Sequence, residues 1–176
     1  MTNRGRMRVL VYGFGPYRQF RDNITARIIK SLPRSSETMT KIFPVRFHPQ
    51  QFTAVLQRFQ PDIILGLGQS TRRLIAVETR ARNCRRAGKT TKVRMISRDG
   101  PQSLPTTLPI RAGRWMRRST DAGDYVCNYS MYVLLDAIER ERRKVRFGFI
   151  HIPHDYKLDK AVQVVGRVLR QFRPAG

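Results

Sequence analysis

No apolar run in the sequence approaches the roughly twenty residues needed to span a bilayer, so no segment reads as a transmembrane helix. The first residues are basic, but the apolar run behind them breaks at Gly13, too soon for a signal peptide. The chain is therefore expected to be soluble and cytoplasmic, with no membrane partner. Cysteine is sparse: Cys84 and Cys127 are the only two, without CxxC spacing and without a nearby histidine pair. That leaves no zinc motif and no disulfide framework, and two free thiols are the expectation in a cytosolic chain. Nothing asks for a metal or a cofactor. Internal repeats, low-complexity stretches and shifts in composition are missing too. One domain over residues 1–176 is expected, with residues 1–6 and 174–176 frayed.

Acids are the scarcest class of charge. Twelve Asp and Glu stand against 35 Lys and Arg, a formal net charge of +23, and 28 of the bases are arginine. An excess of this size either attracts polyanions or reflects an arginine-rich, solvated surface. No base-reading motif decides between the two. The excess is uneven, since Arg72 to Arg118 holds fourteen bases and only Glu78 and Asp99 as acids. Any electropositive face for a polyanion belongs to that stretch.

What is present in strength is an alternation of short buried strands and amphipathic helices. Met7–Tyr12 is β-branched, apolar and stopped by Gly13, the pattern of a buried strand. Ile24, Ile28, Ile29 and Leu32 keep helical spacing, with Asp22 or Asn23 placed to cap and Pro33 to stop. A strand over 41–47, a helix over 50–59, a strand over 62–68 and a strand over 74–81 follow. Residues 83–113 read as loops with one short strand near 92–96. From Asp124, residues Val126, Tyr129, Val133, Leu134, Ala137 and Ile138 share a helical face. A strand over 146–152 and a helix over 158–172 complete the chain. This order implies an α/β layer fold with a largely parallel sheet. In such folds the loops at the carboxyl ends of strands build the site, here Gly13–Tyr17, Gly68–Ser70 and His151–Pro153.

Three residues carry candidate chemistry. Cys127 falls in the first turn of a predicted helix, where unpaired N–H groups and the helix dipole favour a thiolate and can hold an oxyanion. His151 closes a strand of apolar neighbours and needs a partner or a cleft. Glu78 ends the apolar run Leu74–Val77, and on its own it reads equally as a surface carboxylate pairing with Arg80 or Arg82. Together they match a nucleophile, a base and the carboxylate that fixes the base's tautomer.

Ala122-Gly123-Asp124-Tyr125-Val126-Cys127-Asn128 resembles the nucleophile signature of the pyroglutamyl peptidase I family, Ala-Gly-Thr-Tyr/Phe-Val-Cys-Asn. Gly148-Phe149-Ile150-His151-Ile152-Pro153 resembles the family's histidine motif. Glu78-Thr79-Arg80-Ala81-Arg82-Asn83 is similar to its Glu-Arg-x-Ala-x-Asn. Gly13-Phe14-Gly15-Pro16-Tyr17, Pro61-Asp62-Ile63-Ile64 with Gly68-Gln69, and Gly100-Pro101 with Leu108-Pro109 match further family motifs in the same order. The resemblance runs over almost the whole chain. It implies a three-layer α/β/α fold of the phosphorylase/hydrolase-like kind, with a mostly parallel twisted sheet. It implies a thiol peptidase that removes an N-terminal 5-oxoproline from peptides, with Cys127, His151 and Glu78 as the triad. It also implies a lactam pocket built by Phe14, Tyr17, Gln69, Tyr125 and Val126, and commonly a homo-oligomer.

The chain departs from the family pattern in places. Gly88 stands where the family has an arginine, flanked here by Arg86 and Lys89. Asp124 replaces a small Thr three residues before the cysteine, where it would cap the helix and disfavour a thiolate. The stretch between Pro109 and Ala122 is shorter by roughly one helix. Two other readings follow: a catalytically degenerate homologue that binds polyanions, and a hydrolase for another small amide.

Overall fold

A computed structural model of the chain describes residues 7–17 and 20–172. The expected fraying of 1–6 and 174–176 lies outside them. β1 (Val9–Phe14) is buried at every residue. α1 (Ile24–Ser31) starts at Asn23, whose side-chain oxygen accepts the Thr25 N–H, so the asparagine and not Asp22 is the cap. Next come β2 (Thr38–Phe43), α2 (Pro49–Phe59) and β3 (Ile63–Ser70). Instead of one strand over 74–81 there are two, β4 (Ile75–Glu78) and β5 (Arg80–Arg82). Thr79 divides them, its N–H and hydroxyl both donated to the Ser119 carbonyl. β6 (Ser103–Pro105) and β7 (Met116–Ser119) lie in a region whose sequence gave no strand pattern. Around 92–96 only a single bridge forms, between Arg85 and Arg94. α3 (Val126–Arg140), β8 (Arg146–Pro153) and α4 (Leu158–Arg170) finish the fold.

Six strands make one sheet in the order β2-β1-β3-β8-β4-β7, while β5 and β6 form a separate pair. Neighbours in the large sheet are parallel except β8 and β4, which run antiparallel. The pleat sorts side chains to two faces. Leu10, Tyr12, Phe14, Ile64, Phe147 and Phe149 pack with α2 and α3, whereas Val9, Val11, Leu65, Leu67, Ile150 and Ile152 pack with α1 and α4. The result is a mostly parallel sheet between two helical layers: the largely parallel α/β fold that the alternating pattern implies, in the three-layer form that the resemblance implies.

One detail of β3 prepares the site. Its residues alternate Leu65-Gly66-Leu67-Gly68, with the glycines on the α3 face. A Cβ on Gly66 would lie 2.4 Å from the Phe149 ring, and one on Gly68 would lie 2.5 Å from the His151 ring. The glycines make room for the large rings that β8 sends across from the next strand.

Candidate active site

Register brings His151 and Glu78 together. Gly68 pairs with His151 between β3 and β8, and Ala76 pairs with His151 between β8 and the antiparallel β4. Glu78, two residues beyond Ala76, opposes Phe149 and therefore shares the face of His151. Its Oε1 lies 2.7 Å from His151 Nδ1. Glu78 is fully buried, so the alternative of a surface carboxylate paired with Arg80 or Arg82 does not hold. The cation on it is Arg72, whose Nη1 donates to the same Oε1 at 2.9 Å.

The third group comes from α3. Gly123 takes φ +83°, a left-handed turn that glycine accepts freely, and the chain enters the helix through extended Tyr125. Cys127 is then the second helical residue, partly exposed, and it is close enough to the His151 imidazole to act on its charge. With Nδ1 taken by Glu78, Nε2 is the ring nitrogen left for sulfur. A tyrosine cap has no short oxygen to return onto the first-turn amides, and the Tyr125 side chain makes no cap bond to them. Asn128, fully buried, holds the turn in place: its Oδ1 accepts the Arg82 N–H, and its Nδ2 donates to the carbonyls of Arg82 and Cys84.

The electrostatics favour a charged imidazole. Burial works against charge on His151, but the Cys127 sulfur and Glu78 outweigh it and lift the imidazole from 6.5 to about 9. Cys84 has no such partner, and burial pushes its thiol up. Asp124, which as a helix cap would disfavour a thiolate, does not cap α3. Arg86 grips its carboxylate through Nε and Nη2, and the Arg86 N–H donates to the Asp124 carbonyl at 2.7 Å. The added negative charge is thereby matched by an arginine beside the family's missing one. Arg82 makes a parallel contact to Asp121 at 2.7 Å, so two pairs tie β5 and its loop to the turn before Cys127.

A cleft of about 280 Å³ opens beside the imidazole, lined by Gln69, Ser70, Arg72, Gly123, His151 and His154 among others. Gln69 Oε1 accepts the Ile24 N–H at the start of α1, which turns its NH2 donors away from that helix. Ser70 Oγ is buried without a hydrogen-bond partner. The Tyr17 and Tyr125 rings lie 5.0 Å apart, and Phe47 meets Tyr125 edge-on at 5.2 Å. Of the five residues expected to build a pocket, Gln69 lines this cleft and two are core residues. Phe14 is 2% exposed and packs edge-on with Tyr12 and Phe52, and the Val126 side chain is likewise in the core.

Residues 7–162 match the family model described as pyroglutamyl peptidase. The chain belongs to the pyroglutamyl peptidase family. A pyrrolidone-carboxylate peptidase of Bacillus subtilis is 33% identical to it over 85% of this chain and 79% of that one. The enzyme of that name from Oceanobacillus iheyensis is 31% identical over 86% of each. The solved pyrrolidone carboxyl peptidase of Thermococcus litoralis superposes with a TM-score of 0.84 at 25% identity, covering 93% and 92% of the two chains. The pyroglutamyl peptidase I of Bacillus amyloliquefaciens gives 0.84 at 26% identity, covering 93% of each. Family membership accounts for the Cys127, His151 and Glu78 motifs as a set. Reading the sequence gave no site role to the side chains of Arg72, Ser70 or Asn128. Asn128 had a signal, a polar residue inside an apolar helical face, while Arg72 was hidden among the many arginines of its stretch.

Proposed function

We propose that the chain is a cysteine peptidase that hydrolyses the bond after an N-terminal pyroglutamyl residue, working as one cytoplasmic domain in which both thiols stay reduced. The observation that carries this is the buried His151–Glu78 hydrogen bond beside a small cleft, with Cys127 on the first turn of α3 acting on the same imidazole. The Cys127 thiolate attacks the pyroglutamyl carbonyl carbon, and the first-turn amides of α3 receive the oxyanion. The imidazolium of His151 gives its proton to the departing amine as the C–N bond breaks, leaving a thioester. His151, now neutral, takes a proton from water, whose oxygen attacks the thioester. The C–S bond breaks, and pyroglutamate leaves with the thiolate restored. Glu78 holds Nδ1–H throughout and balances the imidazolium. A lactam is neutral and carries one acceptor and one donor. The Gln69 NH2 group and the unpartnered Ser70 hydroxyl offer the complement, and Tyr17 and Tyr125 supply flat apolar surface. Release of a fluorogenic amine from a pyroglutamyl amide tests the reading, and a folded protein without turnover would refute it.

Two predictions follow from the imidazole. Since its folded value lies above the ordinary 6.5, its contribution to stability is complete below that pH and lost as pH rises through about 9. The proton donor for the leaving amine disappears over the same range. A profile of kcat/KM against pH is expected to hold at neutral pH and fall on the alkaline side near about 9. A fall already centred at the ordinary histidine value would contradict it. Gly68→Ala places a methyl 2.5 Å from His151 Cδ2 and 2.7 Å from Nε2. Displacing the ring by such an amount is expected to cost activity roughly a hundredfold while the protein stays folded. Unchanged kinetics would mean that the ring is not held where β3 places it.

A second property, compatible with catalysis, is polyanion binding at a separate groove of about 640 Å³. Arg73, Lys157, Lys160 and Arg167 line it with Trp115, which is 64% exposed. Two of its ten lining residues, Arg73 and Trp115, come from the Arg72–Arg118 stretch, and the other eight, Asp155 among them, lie between Pro153 and Arg167. A paired Lys160→Glu and Arg167→Glu variant is expected to elute from heparin at clearly lower salt with peptidase kinetics unchanged. Elution at the wild-type salt would exclude the groove.

A further inference from the structure

We propose that Arg72 is a positioning residue that clamps the Glu78 carboxylate and ties it to the loop delivering Cys127. The inference deepens the peptidase reading and rests on it for its kinetic part. The geometry is specific. Arg72 Nη1 donates to Glu78 Oε1 at 2.9 Å and to Ser119 Oγ at 3.1 Å, and Nη2 donates to the Asp121 carbonyl at 2.5 Å. Ser119 ends β7, and Asp121 stands six residues before the cysteine. Ser119 Oγ also accepts the Asp121 N–H, and Asp121 Oδ1 accepts the Gly123 N–H. One guanidinium therefore touches both the orienting carboxylate and the turn that starts the nucleophile helix.

The carboxylate needs such a clamp. Glu78 is fully buried, its Oε2 has no hydrogen-bond partner, and both of its bonds converge on Oε1. With His151 alone, the carboxylate would be free to rotate about that one contact. The planar fork of arginine supplies a second donor in a fixed direction, which a lysine ammonium cannot match. Arg82 holds the same 119–123 loop through Asp121 Oδ1, and Thr79 holds it through the Ser119 carbonyl, but of these residues Arg72 is the one that also reaches Glu78. Arg72 remains 29% exposed toward the cleft, so it is a support behind the triad that still borders the substrate space. The titratable and charged groups facing the His151 ring are Cys127 from α3, Glu78 from β4, Arg72 from the loop after β3, and His154 across the cleft.

Two variants separate positioning from packing. Arg72→Met keeps the bulk and removes the charge, and Arg72→Lys keeps the charge but cannot reach Glu78 Oε1 and the Asp121 carbonyl together. In both, kcat is expected to fall roughly tenfold to a hundredfold. KM should stay within about twofold, because the interaction serves the transition state. The chain has only three histidines, so His151 can be followed through its own titration by NMR. Arg72→Met removes a like charge beside the imidazolium, and the His151 titration is expected to move to higher pH. Arg72→Lys is expected to leave it near the wild-type position while kcat remains low. An unmoved titration in Arg72→Met, or wild-type kcat in Arg72→Lys, overturns the proposal. The NMR readout needs no turnover. A titration that moves in a wild-type background without peptidase activity would sink the peptidase reading and leave the clamp standing.

Discussion

Cys127→Ser is expected to leave a folded protein whose turnover of a pyroglutamyl amide is lower by about a thousandfold or more. The change removes no packing of consequence, because serine is the closest match in shape and position 127 is partly exposed. What it removes is the sulfur, the first of the groups that raise the imidazole. His151 then keeps only Glu78 to oppose burial. The same variant should therefore shift the His151 titration down from about 9. Loss of turnover with an unchanged imidazole would mean that sulfur and ring do not interact in solution.

Glu78→Gln carries the second large effect. The amide oxygen can still accept from His151 Nδ1 and Arg72 Nη1, but the charge is gone and an NH2 group fills the place of Oε2, which has no partner. The imidazolium that gives its proton to the leaving amine is no longer balanced, and the guanidinium loses its counter-charge. The expected loss in kcat is about a thousandfold to ten-thousandfold, comparable to other triads that lose the orienting carboxylate. Stability should fall by about 1–3 kcal/mol, the cost of a buried unsatisfied donor. Denaturant unfolding alongside steady-state kinetics measures both. A drop in stability with unchanged kcat would reduce Glu78 to a structural ion-pair partner.

Sequence pattern carried most of the layer fold and the identity of the triad motifs. Strands such as Val9–Phe14 and Arg146–Pro153 are buried on both faces and announce themselves as apolar runs. β7 gave no such signal: Met116–Ser119 is an edge strand whose two central arginines are exposed, and charge on an edge protects it from pairing with other chains. The break at Thr79 was equally silent, since it depends on the distant Ser119 carbonyl. Site polarity was the least legible property. Phe14 and Val126 carry family motifs but turn inward, because the strand and helix parity that places Gly13 and Cys127 also buries their neighbours. Asp124 looked unfavourable in isolation, and its match, Arg86, lies 38 residues away in sequence. Arg72 is the sharpest case: composition counted it as one of fourteen bases, and only the fold shows it on the one buried carboxylate of the site.

The central claim is that the Cys127 sulfur takes the pyroglutamyl group covalently. Rapid acid quench of the wild-type protein during turnover of a pyroglutamyl amide, followed by peptide mass spectrometry, tests it most directly. The account predicts one pyroglutamyl adduct on the peptide containing Cys127, and none on the peptide containing Cys84. Steady turnover with no adduct on Cys127, or with the adduct on another residue, would contradict it.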